Sequence, residues 1–341
     1  MKVFVTGVDG YIGVMMAPLL QSRGHEVVAL DTGYYRDGCL YNGINDFPNV
    51  HRRDLRHVKE GDLDGVDAVV HLAELSNDPL GQHNPEITRG INHRASVKLA
   101  ELAKAAGAKR FIYASSCSVY GAGNNEVKTE ESATNPQTTY AECKIMVERD
   151  VSAMADDDFS PTFMRNATAF GPSPRMRFDI VLNNLAGLAW TDKAIRMNGD
   201  GSAYRPLVHI SDICDAVACA LEAPRDKVHN QIFNVGQDSD NYRVKEIAQI
   251  VAGVFPGCAV EFGPAGADNR SYKVSFEKIK NALGFTCKRN ATIGAVQLYA
   301  LFKKIDMSKE VFNFRAFTRL KQLEYLLRLG QLDEQLFWRT Q

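Results

Sequence analysis

Short apolar runs alternate with longer stretches of helical periodicity through the first 165 residues. The runs with the length and β-branched content of buried strands are 2–6, 26–30, 49–52, 66–72, 109–114 and 161–165. The stretches predicted to be helical are 14–20, 84–107 and about 137–154. Regular alternation of this kind predicts an α/β fold, with a doubly wound parallel sheet in a first domain of residues 1–165.

The alternation continues in shorter pieces after residue 165. Strands are predicted at 195–197, 231–235 and 258–262, and helices at 212–222, 244–254 and 275–283. We therefore expect a smaller C-terminal α/β domain of residues 166–305, with parts of 205–240 returning to the first domain.

Residues 306–341 form a predicted helical extension. Phe317, Leu320, Leu323 and Leu327 keep helical spacing within it, and the segment is too apolar for a free tail. Such a helix either packs on its own chain or presents a surface to a partner, and the sequence leaves both interpretations open.

Three glycines follow the first strand in the pattern G-x-x-G-x-x-G, at Gly7, Gly10 and Gly13. Between a strand and a helix, such glycines allow a tight turn, a close approach to a pyrophosphate and close helix–strand packing. The second strand ends at Asp31, whose carboxylate can accept hydrogen bonds from a ribose diol and would repel a 2′-phosphate. The pattern therefore predicts a dinucleotide site that takes NAD(H) rather than NADP(H).

Weaker signals follow the next two strands. Asp54 comes just past the third strand, where it either contacts the adenine or caps a helix. Ala73 places a small residue beside the cofactor at the end of the strand 66–72. Asn92 lies within the helical stretch 84–107, where it is either a surface amide or a group that orders backbone or water near the cofactor.

A serine-rich segment follows the strand 109–114, and a tyrosine and a lysine follow on a predicted helix. Tyr140 and Lys144 are one turn apart and share a helix face. A phenol has a pKa of about 10, and an ammonium group and an oxidised nicotinamide beside it favour the phenolate and lower that pKa. Ser116 is placed to hydrogen-bond the reacting substrate oxygen. Surface placement is the alternative for this spacing, but the nucleotide-binding turn before it favours catalysis.

Composition excludes several other classes of protein. The net charge of −1 over 341 residues indicates neither nucleic acid nor an anionic membrane as partner, and no apolar run is long enough to span a bilayer. The seven cysteines include no C-x-x-C pair and the eight histidines no H-E-x-x-H motif, so we predict no metal site and no disulfide framework. A strand that begins at Lys2 leaves no room for a signal peptide, and we expect a cytoplasmic location.

Together these motifs resemble the extended short-chain dehydrogenase/reductase family, and within it the nucleotide-sugar epimerase/dehydratase branch. The resemblance covers about residues 1–300 and implies a Rossmann-type sheet with NAD bound on its N-terminal part. It implies Ser116, Tyr140 and Lys144 as the catalytic residues. The further NAD contacts that it implies are Tyr11, Ile12, Leu55, Leu72, Ala73, Glu74, Ser76, Asn92 and Ala167.

The resemblance also implies a site for a nucleotide-diphosphate sugar. The substrate contacts that it implies are Ser76, Ser116, Cys117, Ser118, Thr168, Asn184, Arg205 and Arg270. Arg205 and Arg270 match arginines that bind the substrate phosphates, and planar guanidinium groups suit phosphate oxygens. Surface ion pairing is the alternative for both. Thr168 departs from the asparagine that the family often carries at its position.

Two positions separate the reactions of this branch. The 4,6-dehydratases carry Asp and Glu directly after the catalytic serine or threonine, and the decarboxylases tend to keep the Glu. Cys117 and Ser118 stand there in this chain and cannot do that acid–base work at neutral pH. We therefore expect an NAD-dependent nucleotide-sugar epimerase, with an NAD(P)H-dependent ketosugar reductase as the first alternative and a 4,6-dehydratase as the less favoured one. A non-catalytic NAD sensor is the alternative outside the enzymes. The helices near 85–107 and 137–154 match the pair through which the family usually dimerises, so a homodimer is expected.

His209 alternates with the apolar residues Val208 and Ile210, just before a predicted helix at 212–222. We predict that Ser211 caps this helix. We interpret His209 as a structural histidine rather than a catalytic one.

Overall fold

The structure is a computed structural model that describes residues 1–41, 50–76, 84–122, 126–264 and 271–339. The described strands are β1 Lys2–Thr6, β2 Glu26–Asp31, β3 Val50–Arg52, β4 Ala68–His71, β5 Arg110–Ser116, β6 Val127–Lys128, β7 Ser160–Asn166, β8 Thr168–Phe170, β9 Ala194–Arg196, β10 Tyr204–His209, β11 Gln231–Val235, β12 Asn241–Arg243, β13 Ala259–Glu261 and β14 Lys273–Val274.

The rest of the regular structure is helical. The α-helices are Gly13–Ser22, Pro85–Thr88, Ala95–Ala105, Thr139–Ser152, Val181–Thr191, Ile210–Glu222, Arg225–Val228, Val244–Val254, Glu277–Leu283, Ala291–Lys304, Lys309–Phe312 and Arg319–Arg328. Shorter 3₁₀ turns are Leu55–His57, Glu60–Leu63, Cys117–Tyr120, Asp238–Asp240 and Arg315–Phe317, and Arg89–Arg94 is a π-helical turn.

Seven strands form one parallel sheet in the order β11-β7-β5-β4-β1-β2-β3. Side chains alternate across it, so that Val3 and Val5 of β1 pack on one face while Phe4 packs on the other. The helices Gly13–Ser22 and Ile210–Glu222 cover the first face, and Ala95–Ala105 and Thr139–Ser152 cover the second. This arrangement confirms the predicted doubly wound α/β fold.

A second apolar cluster holds a smaller group of elements together after residue 166. The helices Val181–Thr191, Val244–Val254 and Ala291–Lys304 pack in it, beside the three-stranded sheet β12-β10-β8 and the pair β13-β9. The strand β11, by contrast, joins the edge of the large sheet by pairing with β7.

The C-terminal extension packs on its own chain. Leu323 and Leu326 of the helix Arg319–Arg328 are buried in a cluster with Tyr34 and Leu75. Of the two alternatives that the sequence left open, the structure therefore shows packing within the chain.

The cap of the helix Ile210–Glu222 differs from the prediction. His209 takes the cap position, and its Nδ1 accepts a hydrogen bond of 3.1 Å from the backbone N–H of Ser211. The other ring nitrogen lies 2.7 Å from Oε1 of Gln297. Burial lowers the pKa of His209 to about 4, so the ring is neutral at pH 7. The protein engages both ring nitrogens, which supports the structural interpretation.

Three general features complete the description. Among the described residues, no helix is long and apolar enough to cross a membrane. The same part of the chain holds no group of three or more residues that could bind a metal ion. All seven cysteines are free thiols.

Candidate active site

A cavity of about 520 Å³ opens at the carboxyl edge of the large sheet. This is the edge at which parallel α/β sheets bind their ligands, and the volume is typical of a small-molecule site. The predicted site residues that line it are Gly7, Gly10, Tyr11, Ile12, Gly13, Asp31, Asp54, Leu55, Leu72, Ala73, Glu74, Ser76, Ser116, Ser118, Tyr140, Lys144, Ala167 and Thr168.

The backbone of the glycine turn is packed so closely that Gly7 and Gly13 could not carry side chains. Gly7 has a φ of +76°, and a Cβ there would lie 2.9 Å from the backbone nitrogen of Ala73. A Cβ on Gly13 would clash with the carbonyl of Gly7. The helix that begins at Gly13 therefore starts directly at the cavity wall, where its dipole favours an anion. This cradle fits the pyrophosphate of a dinucleotide.

Asp31 and Asp54 lie on the part of the cavity formed by the ends of β2 and β3. Asp31 accepts hydrogen bonds from the backbone N–H groups of Asp9, at 3.0 Å, and Gly33, at 2.7 Å. Burial and the neighbouring Asp9 carboxylate raise the pKa of Asp31 to about 6. Asp54 caps the turn Leu55–His57 and pairs with Arg56 at 2.8 Å. Of the two roles that the sequence left open for Asp54, these contacts correspond to the helix cap.

Tyr11 and Asn92 hold backbone around the cavity. The Tyr11 hydroxyl donates to the carbonyl of Gly171 at 2.7 Å, and the Tyr11 oxygen in turn accepts a hydrogen bond of 3.1 Å from the Asn183 amide. Asn92 is fully buried and clamps the backbone of Leu75, accepting from its N–H at 2.9 Å and donating to its carbonyl at 3.0 Å. Asn92 is not part of the cavity lining, so its observed role is to order the segment that carries Glu74 and Ser76.

The three predicted catalytic residues meet at one part of the cavity. Ser116 ends β5, and Tyr140 and Lys144 lie on the helix Thr139–Ser152. The Lys144 Nζ is 5.2 Å from the centroid of the Tyr140 ring. The Ser116 Oγ accepts a hydrogen bond of 3.1 Å from the N–H of Ser118, which leaves the serine O–H free to donate to a ligand.

The role of Glu74 differs from a simple cofactor contact. Its Oε2 lies 2.5 Å from Nζ of Lys144, and its Oε1 accepts a hydrogen bond of 2.6 Å from the Tyr113 hydroxyl. Lys144 also donates to the carbonyl of Ala114. Burial raises the pKa of Glu74; burial alone would lower the pKa of Lys144, but Glu74 and Tyr140 raise it above its ordinary value. The Lys144 amine therefore forms a buried ion pair with Glu74.

The predicted substrate contacts fall into two groups. Ser118 and Thr168 line the cavity, and the buried Ser118 Oγ has no hydrogen-bond partner among the described residues. The Cys117 thiol does not reach the cavity, because it donates to the carbonyl of Arg165 beneath the sheet edge at 3.1 Å. Burial also raises the pKa of this thiol well above its ordinary value.

The remaining substrate contacts lie away from the described lining. Asn184 donates to the carbonyl of Phe178 at 2.9 Å, and Arg205 donates to the carbonyl of Tyr204 at 2.8 Å. Neither side chain is part of the cavity wall. Arg270 lies outside the described residues.

Sequence reasoning did not assign several residues of the cavity wall. They include Tyr34, Tyr35, Asn166, Arg177, Asp179 and Arg319. Arg177 pairs with Asp179 through two contacts of 2.9 and 3.0 Å and donates to Ser76 Oγ at 3.2 Å. The Arg175–Arg177 pair after β8 offered a weak signal, whereas nothing in the local sequence marks Arg319.

Known proteins with similar sequences and folds share this architecture. The model of the NAD dependent epimerase/dehydratase family matches residues 3–236. UDP-glucuronic acid decarboxylase 1 of Arabidopsis thaliana is 27% identical in an alignment of 321 residues that covers 91% of this chain and 72% of the decarboxylase. UDP-glucose 4-epimerase of Corynebacterium glutamicum is 28% identical in an alignment of 311 residues that covers 84% of this chain and 91% of the epimerase.

Solved structures agree with the sequence comparison. MoeE5 in complex with UDP-glucose and NAD superimposes with a TM-score of 0.77 at 25% identity, over 90% of this chain and 100% of MoeE5. These likenesses confirm the Rossmann-type fold, the NAD cofactor and the assignment as an enzyme of the extended short-chain dehydrogenase/reductase type. The chain belongs to the NAD dependent epimerase/dehydratase family, whose members similar to it include epimerases, dehydratases and decarboxylases of nucleotide sugars.

Proposed function

We propose that this enzyme is an NAD-dependent nucleotide-sugar epimerase, which oxidises a sugar hydroxyl to a ketone and reduces that ketone on its other face. The observation that carries the proposal is the chemistry of the cavity wall directly after Ser116. Cys117 turns its thiol away, and Ser118 contributes only a hydroxyl. An aliphatic hydroxyl such as that of Ser118 supplies neither the acid nor the base for loss of water, so proton and hydride exchange is the chemistry that these residues favour.

Tyr140 acts as the base for the sugar hydroxyl. Bound NAD supplies the acceptor, and then the donor, of the hydride. The Lys144 ammonium lies 5.2 Å from the Tyr140 ring centroid, and a positive charge at this distance favours the phenolate. Ser116 donates a hydrogen bond to the same substrate oxygen, while its Oγ accepts one from the N–H of Ser118. On the return step Tyr140 gives the proton back.

The carboxylates of the cavity wall already have partners within the protein. In the described part of the chain they are Asp31, Asp54, Glu74 and Asp179. Three of them pair with cations: Asp54 with Arg56, Glu74 with Lys144 and Asp179 with Arg177. Asp31 binds two backbone N–H groups at the end of β2. This engagement supports epimerisation over dehydration, which needs an uncommitted acid and base.

We assign the sugar to the wall formed by Ser118, Asn166 and Thr168. The Ser118 Oγ and the Asn166 Oδ1 are buried and have no hydrogen-bond partner among the described residues. Buried polar atoms of this kind are normally satisfied by a ligand or by water. Asn184, Arg205 and Arg270 stay proposed contacts of the substrate diphosphate, on the family resemblance alone.

We further propose a homodimer and a cytoplasmic location. The family resemblance assigns the dimer contact to the region of the helices Ala95–Ala105 and Thr139–Ser152. The seven free thiols suit a reducing compartment.

The reaction is tested by incubating the purified protein with UDP-, dTDP-, GDP- and CDP-sugars in heavy water, without added cofactor, and following the products by NMR. We expect a new epimer whose carbon-bound hydrogens are all retained. A ketosugar reductase would instead need and consume added NADH, and a decarboxylase or dehydratase would release CO₂ or water. No turnover with any sugar would contradict the proposal. The control Tyr140→Phe should keep the fold and lose about 10³-fold in rate.

A further inference from the structure

Arg319 brings a positive charge into the cavity from outside the two α/β domains. It is the first residue of the helix Arg319–Arg328 in the C-terminal extension, and it is only 2% exposed. Its guanidinium carbon lies 4.1 Å from the centroid of the Tyr35 ring. Both side chains line the cavity that holds Ser116 and Tyr140.

The guanidinium group of Arg319 is poorly satisfied by the protein. Its one observed hydrogen bond is a long contact of 3.4 Å to the carbonyl of Ala316, and its second terminal nitrogen is buried without a partner among the described residues. No carboxylate of the described chain forms an ion pair with it, whereas Arg177 beside it is held by Asp179. A buried cation in this position is costly unless a ligand supplies the counter-charge.

A second unsatisfied donor lies beside the first. The Tyr35 hydroxyl is buried and has no partner among the described residues. Burial raises the pKa of Tyr35 to about 12, so its O–H stays a donor. Burial and the nearby Arg177 lower the pKa of Arg319 to about 10, so Arg319 remains charged at pH 7.

The extension is fixed firmly enough to position this charge. Gln322 donates to the carbonyl of Tyr34 at 3.0 Å, Arg315 pairs with Asp37 at 2.6 Å, and Trp338 donates to the carbonyl of Thr32 at 2.8 Å. These contacts tie the helix to residues 32–37, which follow β2. Thr32, Tyr34, Tyr35 and Arg319 therefore belong to one wall of the cavity.

We propose that Arg319, together with the Tyr35 hydroxyl, binds the phosphate oxygens of a diphosphate ligand in the cavity. Guanidinium groups bind phosphate oxygens through short charge-assisted hydrogen bonds. The diphosphate belongs either to NAD or to the nucleotide-sugar substrate, and only the second source rests on the proposed function. The C-terminal extension is then part of the binding site, in addition to the two α/β domains.

The test compares Arg319→Met with Arg328→Met, an exposed arginine on the same helix. NAD binding is measured as nucleotide retained after gel filtration and by titration of the cofactor-free fraction. UDP binding is measured by calorimetry, with uridine as the ligand that lacks the diphosphate. We expect Arg319→Met to weaken NAD, UDP or both by about 10- to 100-fold, to leave uridine binding unchanged, and to keep or raise the Tm without ligand. Arg328→Met should match the wild type.

The outcomes separate the two sources and the alternatives. A loss for NAD alone assigns the cofactor diphosphate, and a loss for UDP alone assigns the substrate diphosphate. Unchanged affinity for both ligands, or a lowered Tm with unchanged affinity, shows a structural arginine and overturns the proposal. Arg319→Gln serves as the second variant if Arg319→Met does not fold. Epimer formation by the wild type is scored separately, so failure of the proposed reaction does not decide the role of Arg319.

Discussion

Two buried cations, Lys144 and Arg319, line the same cavity and differ in the partners that the protein gives them. Lys144 has the Glu74 carboxylate 2.5 Å away and a backbone carbonyl beside it. Arg319 has no ion-pair partner in the described chain, and one of its nitrogens is unsatisfied. The contrast supports two separate proposals: an internal partner orients the lysine for proton transfer, and the arginine keeps its charge for a ligand.

Loss of the lysine should have the largest effect. Lys144→Met removes the positive charge that favours the Tyr140 phenolate, and it leaves Glu74 buried without its cationic partner. We expect the rate to fall at least 100-fold and the free energy of unfolding to fall by about 3 kcal/mol, measured by steady-state kinetics and urea titration. The double variant Lys144→Met/Glu74→Gln should recover most of the stability and none of the rate. A single variant as stable as the wild type would show that the ion pair contributes little.

Loss of the carboxylate alone sharpens the comparison. Glu74→Gln keeps an acceptor for Lys144 and Tyr113 but leaves the ammonium charge without compensation. At pH values at which Lys144 stays protonated, the stronger positive field favours the phenolate, so the acidic limb of the pH–rate profile should move down by about one pH unit. Tyr113→Phe, which removes only a hydrogen bond to the same carboxylate, should move the limb much less. If the acidic limb of Glu74→Gln stays where it is in the wild type, Glu74 does not influence the pKa of the catalytic base.

The pH dependence of NAD affinity tests the part of the cavity at the end of β2. The pKa of Asp31 is raised to about 6 by burial and Asp9, so the acid form is populated below that pH. We take the carboxylate as the form that accepts the ribose hydrogen bonds. NAD should therefore bind about tenfold more weakly at pH 5 than at pH 7, measured by fluorescence titration. Asp31→Asn should bind more weakly throughout and lose this pH dependence.

The contact between the extension and the turn Leu55–His57 should give the smallest effect. Phe337 stacks on His57 at 4.8 Å between ring centroids, and the Arg56 guanidinium lies 3.5 Å above its ring. Phe337→Ala should lower the free energy of unfolding by about 1 kcal/mol. Leu329→Ala, at an exposed position of the same extension, should change it by less than about 0.5 kcal/mol. Equal effects from the two variants would mean that the Phe337 contact is not a specific anchor.

Local patterns explain why much of the fold was predictable. The strand, the glycine turn and the helix up to Ser22 depend on neighbours in the chain, and so does the shared face of Tyr140 and Lys144. The role of Glu74 depends instead on a lysine 70 positions later. A spacing rule cannot identify such a pair, although the family resemblance placed Glu74 near the cofactor.

The same distinction applies to the caps and to the extension. Ser211 has good cap chemistry, but the helix begins at Ile210, two residues earlier than predicted, so the ring of His209 takes the cap. The spacing of Leu320, Leu323 and Leu327 predicts a helix but not its docking site. That docking site depends on Tyr34 and Leu75, which are nearly 300 and 250 positions away in the chain. Without knowledge of the docking site, the sequence could not assign Arg319 to the cavity.

The most direct test of the account is the fate of the migrating hydride. A nucleotide sugar deuterated at its ring carbons is incubated with the enzyme in ordinary water, with unlabelled NADH in excess, and the recovered epimers are analysed by mass spectrometry. The account predicts that substrate and epimer both retain all of their deuterium, because the enzyme returns the hydride to the sugar that supplied it. Loss of deuterium to the solvent or to the NADH pool would contradict it.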